Sequence, residues 1–191
     1  MKDFLEVSYL LSPLLLGLAF HGLCIKFGWL HSLARPIDAG LRLRGVRLFG
    51  DNKTYRGVAA VALGTAAGVA LQVLLHRVGV AREVEVLDYS RPSVVIGVGL
   101  ALGTAAMLSE LPNSFLKRQI GIAPGAAGSG LRGVFFYVLD QVDILVGVWV
   151  VLALAIEVTT SRVLWSVVFL FIAHQVLTVV GYHLGMRATA R

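Results

Sequence analysis

Charged residues are scarce in this sequence. Aspartate, glutamate, lysine and arginine make up 15% of its 191 residues, whereas hydrophobic residues make up 57% and the mean hydropathy is +0.81. A soluble globular domain carries about 25% charged residues, so the charges present are too few to cover the surface of one. The composition therefore predicts a single integral membrane domain that spans residues 1–191.

Cysteine is almost absent as well. Cys24 is the only one, so neither an intrachain disulfide nor a cysteine metal cluster can form, and its apolar neighbours indicate a packing residue. The sequence also lacks the Gly-Lys-Ser/Thr of a phosphate-binding P-loop and the glycine fingerprint of a dinucleotide fold. Its cations are not interleaved with aromatic residues on a soluble domain, so we expect no nucleic-acid partner.

Five apolar runs are long enough to cross a membrane. A bilayer core of about 30 Å needs roughly 20 helical residues per crossing, and the candidate spans cover residues 7–27, 57–75, 93–111, 135–156 and 163–184. No small-residue cleavage site follows the first run, so we expect a retained helix rather than a signal peptide. These runs predict an all-α, polytopic protein with five transmembrane helices.

Positive charge is unevenly distributed over this topology. Twelve of the 17 lysines and arginines follow spans one, three and five, including Arg187 and Arg191 near the C-terminus. Because cytoplasmic loops carry an excess of positive charge, we expect the N-terminus outside, the C-terminus in the cytoplasm, and a location in the cell inner (plasma) membrane. The simplest explanation of the excess is that it only orients the chain.

One polar stretch interrupts the apolar runs, at residues 110–143. Within it Asp140 and Asp143 are three residues apart and share a helical face, where each charge costs about 2.5–3.5 kcal/mol near a bilayer centre and the two repel each other. A Mg²⁺ ion would relieve both penalties, because it takes one or two carboxylates and fills its other positions with water and phosphate oxygens. The alternative is a pair of interfacial acids neutralised by Lys117 and Arg118.

Pro112 lies at the start of this stretch and is expected to bend or end the third span. If the chain stays helical beyond it, two pairs of polar residues four apart line one helical surface. These pairs are Asn113 with Lys117 and Ser114 with Arg118.

Lys53 and Arg56 lie at the start of the second span, where the helix dipole favours acids instead. Either they extend to lipid head groups or, one helical turn apart, they point together at a phosphate. Asn52 or Thr54 is a candidate N-cap for this helix. The glycine-rich segment 121–133 is either a flexible linker or a loop whose backbone amides cradle phosphate oxygens.

Two spans carry patterns typical of interior helices. Gly64 and Gly68 in the second span fit close helix packing, either within one chain or in a homodimer. His174, Thr178 and Tyr182 recur every four residues in the fifth span, as on a packing or substrate-channel face.

Together these elements resemble the CDP-archaeol synthase family and, more distantly, the bacterial CDP-diacylglycerol synthases, both membrane cytidylyltransferases. Residues 50–57, Gly-Asp-Asn-Lys-Thr-Tyr-Arg-Gly, are similar to the family's Gly-Asp-Ser-Lys-Thr-Trp-Arg-Gly, and residues 36–40 match its Pro-Ile-Asp-x-Gly. Residues 109–125 are similar to its Gly-Asp-x-x-Lys-Ser-Phe-x-Lys-Arg run and residues 140–143 to its Asp-Gln-Leu-Asp. Ser-Glu at 109–110 in place of Gly-Asp, and Asn113 in place of Lys, indicate a divergent bacterial-type branch.

The resemblance implies transfer of CMP from CTP to a lipid phosphate, with release of pyrophosphate, at a site facing the cytoplasm. The acceptor is either an archaeal-type ether lipid phosphate or phosphatidate. Mg²⁺ is the implied cofactor, with Asp140 and Asp143 as its ligands and Glu110 as a third carboxylate for the metal or the ribose. The implied residues that hold the triphosphate and the lipid phosphate are Asp51, Asn52, Lys53, Thr54, Arg56, Asn113, Ser114, Lys117 and Arg118.

Two other functions compete with this one. A non-enzymatic lipid-binding or transport protein would explain the basic loops, but it gives no reason for two acids beside them, since acids repel lipid phosphates. A lipid kinase would use ATP and yield a different product.

Overall fold

Five long helices form the protein, as the computed structural model shows for residues 1–124, 126 and 128–183. Each helix is long and apolar enough to cross a membrane, which confirms the predicted five-span, all-α architecture. Gly125, Leu184, Arg187 and Arg191, which the predictions included, lie outside the described residues. The helices are α1 Lys2–Lys26, α2 Tyr55–Arg77, α3 Pro92–Gln119, α4 Gly130–Leu152 and α5 Thr160–His183.

The helices pack in a ring that follows chain order. Each helix contacts the next one along the chain, and α5 returns to contact α1. Apolar side chains from every helix fill the core, among them Val7, Val69, Leu102, Val148 and Leu170. The contact between α4 and α5 is the sparsest of these neighbouring pairs over the described residues. The ring is therefore weakest at the seam between its last two helices.

Glycines allow α1 and α2 to approach closely. A Cβ atom on Gly64 would stand 2.7 Å from Gly17 Cα, and one on Gly68 would stand 2.8 Å from Pro13 Cα. The Gly64 and Gly68 pair is thus used for packing within one chain, the first of its two predicted roles. A homodimer stays a prediction.

Gly103 makes a similar approach from α3 to α2, because a Cβ there would stand 2.6 Å from both Ala62 Cα and Val61 O. We expect Gly103→Leu to lower the free energy of unfolding by about 1–3 kcal/mol, because the two backbones must separate. Gly97→Leu, in the same helix but with no atom within 4 Å of its Cβ position, should have little effect. Thermal unfolding in detergent compares the two, and an equal loss for both variants would contradict the close-packing role.

α3 is longer than predicted. It continues through Pro112 to Gln119, although the sequence places the end of the span at residue 111. Pro112 is exposed on the outer surface of the helix, and prolines are tolerated in membrane helices because neighbouring groups satisfy the carbonyl they leave unbonded. As a result residues 113–118 stay helical, which is the condition for lining one surface.

The other helix boundaries differ from the predictions by a few residues. α2 begins at Tyr55, and Thr54 is its N-cap because its Oγ1 accepts a hydrogen bond from the Gly57 amide at 3.2 Å; Asn52 is not the cap. α4 begins at Gly130 instead of residue 135.

The connection between α1 and α2 folds into a compact loop, residues 34–54. β1 (Arg42–Leu43) and β2 (Val46–Arg47) form a short antiparallel hairpin in it. The ends of the loop meet where the Ile37 amide donates to Lys53 O at 2.8 Å and the Tyr55 amide donates to Arg35 O at 3.1 Å. These bonds fix Lys53 against the start of α2.

Candidate active site

A cavity of about 720 Å³ opens between α1, α3, α4 and α5, at the end of the bundle where α3 ends and α4 begins. Apolar residues of α1 and α5 form one part of its wall. Nine of the twelve residues predicted for the site form most of the polar part, whereas Asp51, Thr54 and Arg56 do not line the cavity. The nine are Asn52, Lys53, Glu110, Asn113, Ser114, Lys117, Arg118, Asp140 and Asp143.

Asn113 joins the two aspartates of α4. Its side-chain amide nitrogen donates to Asp140 Oδ1 at 2.6 Å and to Asp143 Oδ2 at 2.8 Å. The two carboxylates therefore lie close enough to share one donor, or one cation in its place. The sequence assigned Asn113 to the triphosphate; the structure instead shows it holding the acids. Its Oδ1 atom is buried and accepts no hydrogen bond from the described residues.

Lys117 neutralises Asp140 but not Asp143. Its Nζ lies 2.5 Å from both carboxylate oxygens of Asp140. Asp143 is only 7% exposed and accepts hydrogen bonds from Asn113 and from the Ile144 amide. No salt bridge in the described part of the chain involves Asp143. The alternative of two acids that are simply neutralised by neighbouring cations thus accounts for Asp140 alone.

Arg118 donates hydrogen bonds to backbone carbonyls of two loops and not to the aspartates. Its Nε donates to Phe49 O at 3.3 Å, and its Nη1 donates to Ile122 O. The sequence assigned this guanidinium to the triphosphate. In the structure it lines the cavity while tying the α1–α2 loop to the segment after α3.

Lys53 and Glu110 form an ion pair in the polar wall, and Glu110 lies one helical turn before Asn113 on α3. Lys53 precedes the first helical residue of α2, so the helical spacing predicted between Lys53 and Arg56 is wrong. That the two point together at a phosphate stays a prediction. Among the residues described, no group of three or more His, Cys, Asp or Glu side chains is placed to hold a metal. Glu110 pairs with Lys53, and its role toward a metal ion or the ribose stays a prediction.

Asp51 and Thr54 shape the loop instead of lining the cavity. Asp51 is 80% exposed at its side chain and pairs with Arg47 at 2.8 Å. Thr54 caps α2. The sequence grouped both with the substrate-binding residues because they fall in one continuous motif, but only Asn52 and Lys53 of that motif reach the cavity wall.

Asp38 holds this loop together, a role that the sequence analysis missed. Its fully buried carboxylate accepts a hydrogen bond from Arg47 Nη2 at 2.6 Å. Burial raises the pKa of Asp38, but the hydrogen bonds from the Arg47 guanidinium and the backbone amides together lower it by more. The pKa of Asp38 therefore lies well below its usual range. The sequence shows the Pro-Ile-Asp-x-Gly motif at 36–40, but it does not show that the Asp38 carboxylate holds the loop together. The amides that donate to the carboxylate are those of Gly40, Phe49 and Gly50.

Asp38→Asn is expected to loosen residues 34–54, because a neutral amide cannot accept all of these bonds and leaves Arg47 without its buried partner. Amide hydrogen exchange in the loop should rise about tenfold or more. The pKa of Asp38 is lowered by folding, so its contribution to stability is present above about pH 4 and is lost as the pH falls below that value. Asp88→Asn, at an exposed aspartate in another loop, is the control, and unchanged exchange in Asp38→Asn would contradict the role.

Fold and cavity together define a class: a five-helix membrane protein with a charged site between its helices. The family model described as CarS-like CDP-archaeol synthase matches residues 8–190. The chain is 38% identical to the CDP-archaeol synthase of Halorubrum lacusprofundi over 154 residues, which cover 80% of this chain and 82% of the relative. It is 37% identical to that of Halobacterium salinarum over 161 residues, covering 80% and 81%.

The chain belongs to the CDP-archaeol synthase family, and the prediction of a membrane cytidylyltransferase is confirmed. A solved structure of an intramembrane enzyme for archaeal membrane lipid biosynthesis has the same fold, with a TM-score of 0.64 over 90% of this chain and 91% of that one. At 22% identity, this likeness concerns the fold alone.

Proposed function

We propose that the protein transfers CMP from CTP to an archaeal-type ether lipid phosphate, forming a CDP-lipid and pyrophosphate. The observation that carries this proposal is the Asp140 and Asp143 pair, held by Asn113 inside a cavity that also has cations and an apolar wall. Acids suit a metal–triphosphate complex, cations suit phosphates, and the apolar wall suits a lipid. The names of the relatives support the same acceptor.

The residues present fit a Mg²⁺ ion. Asp140 and Asp143 supply two carboxylates, and Asn113 Oδ1 is a buried oxygen without a hydrogen-bond donor among the described residues. Mg²⁺ prefers such oxygen ligands and leaves its remaining positions to water and phosphate. When bound, the ion would neutralise charge on the triphosphate and polarise the phosphorus that is attacked.

The chemistry is a displacement at phosphorus. A phosphate oxygen of the acceptor lipid attacks the α-phosphorus of CTP, a new P–O bond forms, and the bond to the bridging oxygen of the β-phosphate breaks. Pyrophosphate leaves with the electron pair of that bond. The acceptor phosphate is already an anion at neutral pH, so no general base is needed, and the rate comes from positioning and charge neutralisation.

Three side chains of the cavity bind the phosphate groups of the reactants in this proposal. Lys117 exchanges Asp140 for a triphosphate oxygen when CTP binds, and Ser114 donates a hydrogen bond to the triphosphate. Lys53, paired with Glu110 in the polar wall, holds the attacking lipid phosphate or the departing pyrophosphate. All three residues line the cavity.

We place this site on the cytoplasmic side of the plasma membrane. The two basic loops meet at the charged end of the bundle, where Arg118 donates to Phe49 O across them. Positive loops stay in the cytoplasm during insertion, and CTP is a cytoplasmic nucleotide. Cysteine accessibility at exposed Leu131, against exposed Val78 at the other end, tests the orientation in intact cells.

The reaction itself is tested with the purified protein in detergent, CTP and Mg²⁺. Pyrophosphate release and labelled CDP-lipid are measured with the geranylgeranylglyceryl ether phosphate, phosphatidate and polyprenyl phosphate, and ATP replaces CTP as the control nucleotide. We expect the ether lipid to be the best acceptor and EDTA to stop the reaction. Turnover of phosphatidate alone would reassign the acceptor, and turnover with ATP alone would contradict the proposal.

A further inference from the structure

A second, mostly apolar groove lies on the exposed surface of α5. It has a volume of about 330 Å³ and is lined by Val167, Val168, Phe171, Ile172 and Gln175. Gln175 also lines the charged cavity, so this single side chain separates the groove from the active site. The groove therefore borders the active site at Gln175.

The boundary between groove and cavity lies at the weakest seam of the bundle. Gln175 Nε2 donates to Tyr137 OH at 3.2 Å across α4 and α5, and the Tyr137 ring packs edge-on against Phe171 at 6.3 Å. Gln175 and Tyr137 are both exposed at membrane depth. Polar groups in hydrocarbon cost free energy unless they are paired or used. This hydrogen bond thus spans the seam near the charged end of the bundle, and Trp149 Nε1 donates to Ser166 Oγ at 2.9 Å nearer the other end.

These residues lie at the depth of a lipid in the leaflet nearest the charged end of the bundle. At 1.5 Å per residue, Gln175 lies about 12 Å from the end of α5 and Tyr137 about 10 Å from the start of α4. Phe171 and Val168 lie about 6 and 10 Å further toward the other face. A lipid whose phosphate lies at the charged end of the bundle points its chains in this direction. The groove therefore lies where a hydrocarbon chain would be.

We propose that the acceptor lipid reaches the cavity from the bilayer between α4 and α5, with a hydrocarbon chain in the α5 groove and its phosphate passing Tyr137 and Gln175. This inference rests on the proposed function, because it assumes a lipid phosphate as the acceptor. Tyr137 and Asp140 are three residues apart on α4 and share a face that leads inward. A phosphate that displaces the Gln175 hydrogen bond therefore meets Asp140 and Lys117 next.

The first test locates the chain without requiring turnover. The purified full chain is mixed with an ether lipid phosphate that carries a diazirine in one chain, irradiated, digested and analysed by mass spectrometry. We expect labelling of the peptide that contains residues 167–172. Labelling confined to the outer surfaces of α2 or α3 would overturn the proposal, even if the protein makes CDP-lipid.

The second test fills the groove. Val168→Trp should raise the KM for a long-chain lipid phosphate about tenfold and leave the KM for CTP within about twofold. Val176→Trp is the matched control, because Val176 is exposed on the same helix but lines neither groove nor cavity. A short-chain acceptor, which does not reach the groove, should be used equally by both variants.

The outcomes separate this proposal from the proposed function. If wild type makes CDP-lipid and Val168→Trp behaves like Val176→Trp, the groove has no role although the reaction stands. If wild type makes none but the diazirine lipid labels residues 167–172 in competition with unlabelled lipid phosphate, the reaction fails while the lipid site stands.

Discussion

Asp143→Asn is expected to lower CDP-lipid synthesis by about 10²–10³-fold or more, the size of effect seen when one preorganised charge-stabilising group is lost. Asp143 is the buried acid that has no salt bridge in the described part of the chain, so a metal–CTP complex is what would balance its charge. The amide of Asn cannot supply that negative charge. Pyrophosphate release from CTP and the lipid phosphate measures the loss.

The fold should tolerate this change. A buried carboxylate without a cationic partner costs free energy, so the neutral amide should leave the unfolding temperature unchanged or raise it. Asp51→Asn is the matched control, because Asp51 is exposed and does not line the cavity; we expect near wild-type activity from it. Wild-type synthesis by Asp143→Asn would exclude the carboxylate from metal binding.

Lys117→Gln is expected to lower kcat/KM for CTP by about 10²-fold, because the triphosphate loses a cation in a site that excludes much of the water. Asp140 also loses the partner that holds it at 2.5 Å. Asp140 is 44% exposed at its side chain, so water replaces the lost partner and the cost in stability is small. Initial rates at varied CTP concentration measure the change.

Two further variants make this result specific. Lys117→Arg keeps the charge and should recover part of the activity, which a merely structural role would not require. Lys2→Gln removes a lysine that is 76% exposed at the other end of α1, and we expect no change in CTP kinetics from it. Equal losses in Lys117→Gln and Lys2→Gln would show that overall charge, not position, matters.

The helices were predictable because each is a local, continuous signal. A run of about 20 apolar residues must be helical in a bilayer, since no water satisfies its backbone groups. The ends were less certain, as the end of α3 shows: Pro112 is a local stop signal, yet the helix continues to Gln119, and Asn113 and Lys117 in this part of it bond to Asp140 of α4. Tertiary contacts overrode the local preference there.

The site residues were partly predictable for a related reason. Asp140 and Asp143 stand out as acids in an apolar run, and helical spacing alone puts them on one face. The partners of charged groups were less predictable, because pairing joins residues far apart in sequence. Glu110 with Lys53 and Arg118 with Phe49 are such cases. His174 and Thr178 of the predicted α5 stripe do line the cavity, whereas Tyr182 is exposed.

The sequence by itself determined that this is a five-helix membrane protein with carboxylates and cations at one end. The composition and the lengths of the apolar runs are sufficient to predict this architecture, because the bilayer leaves the backbone few alternatives to a helix. Only the tertiary structure decided which charges meet. Asn113 binds Asp140 and Asp143, and Lys117 neutralises Asp140. Asp38 pairs with Arg47 within the loop. The physical reason is that a buried charge takes the nearest partner in space, and the order of helices around the ring decides which partner that is.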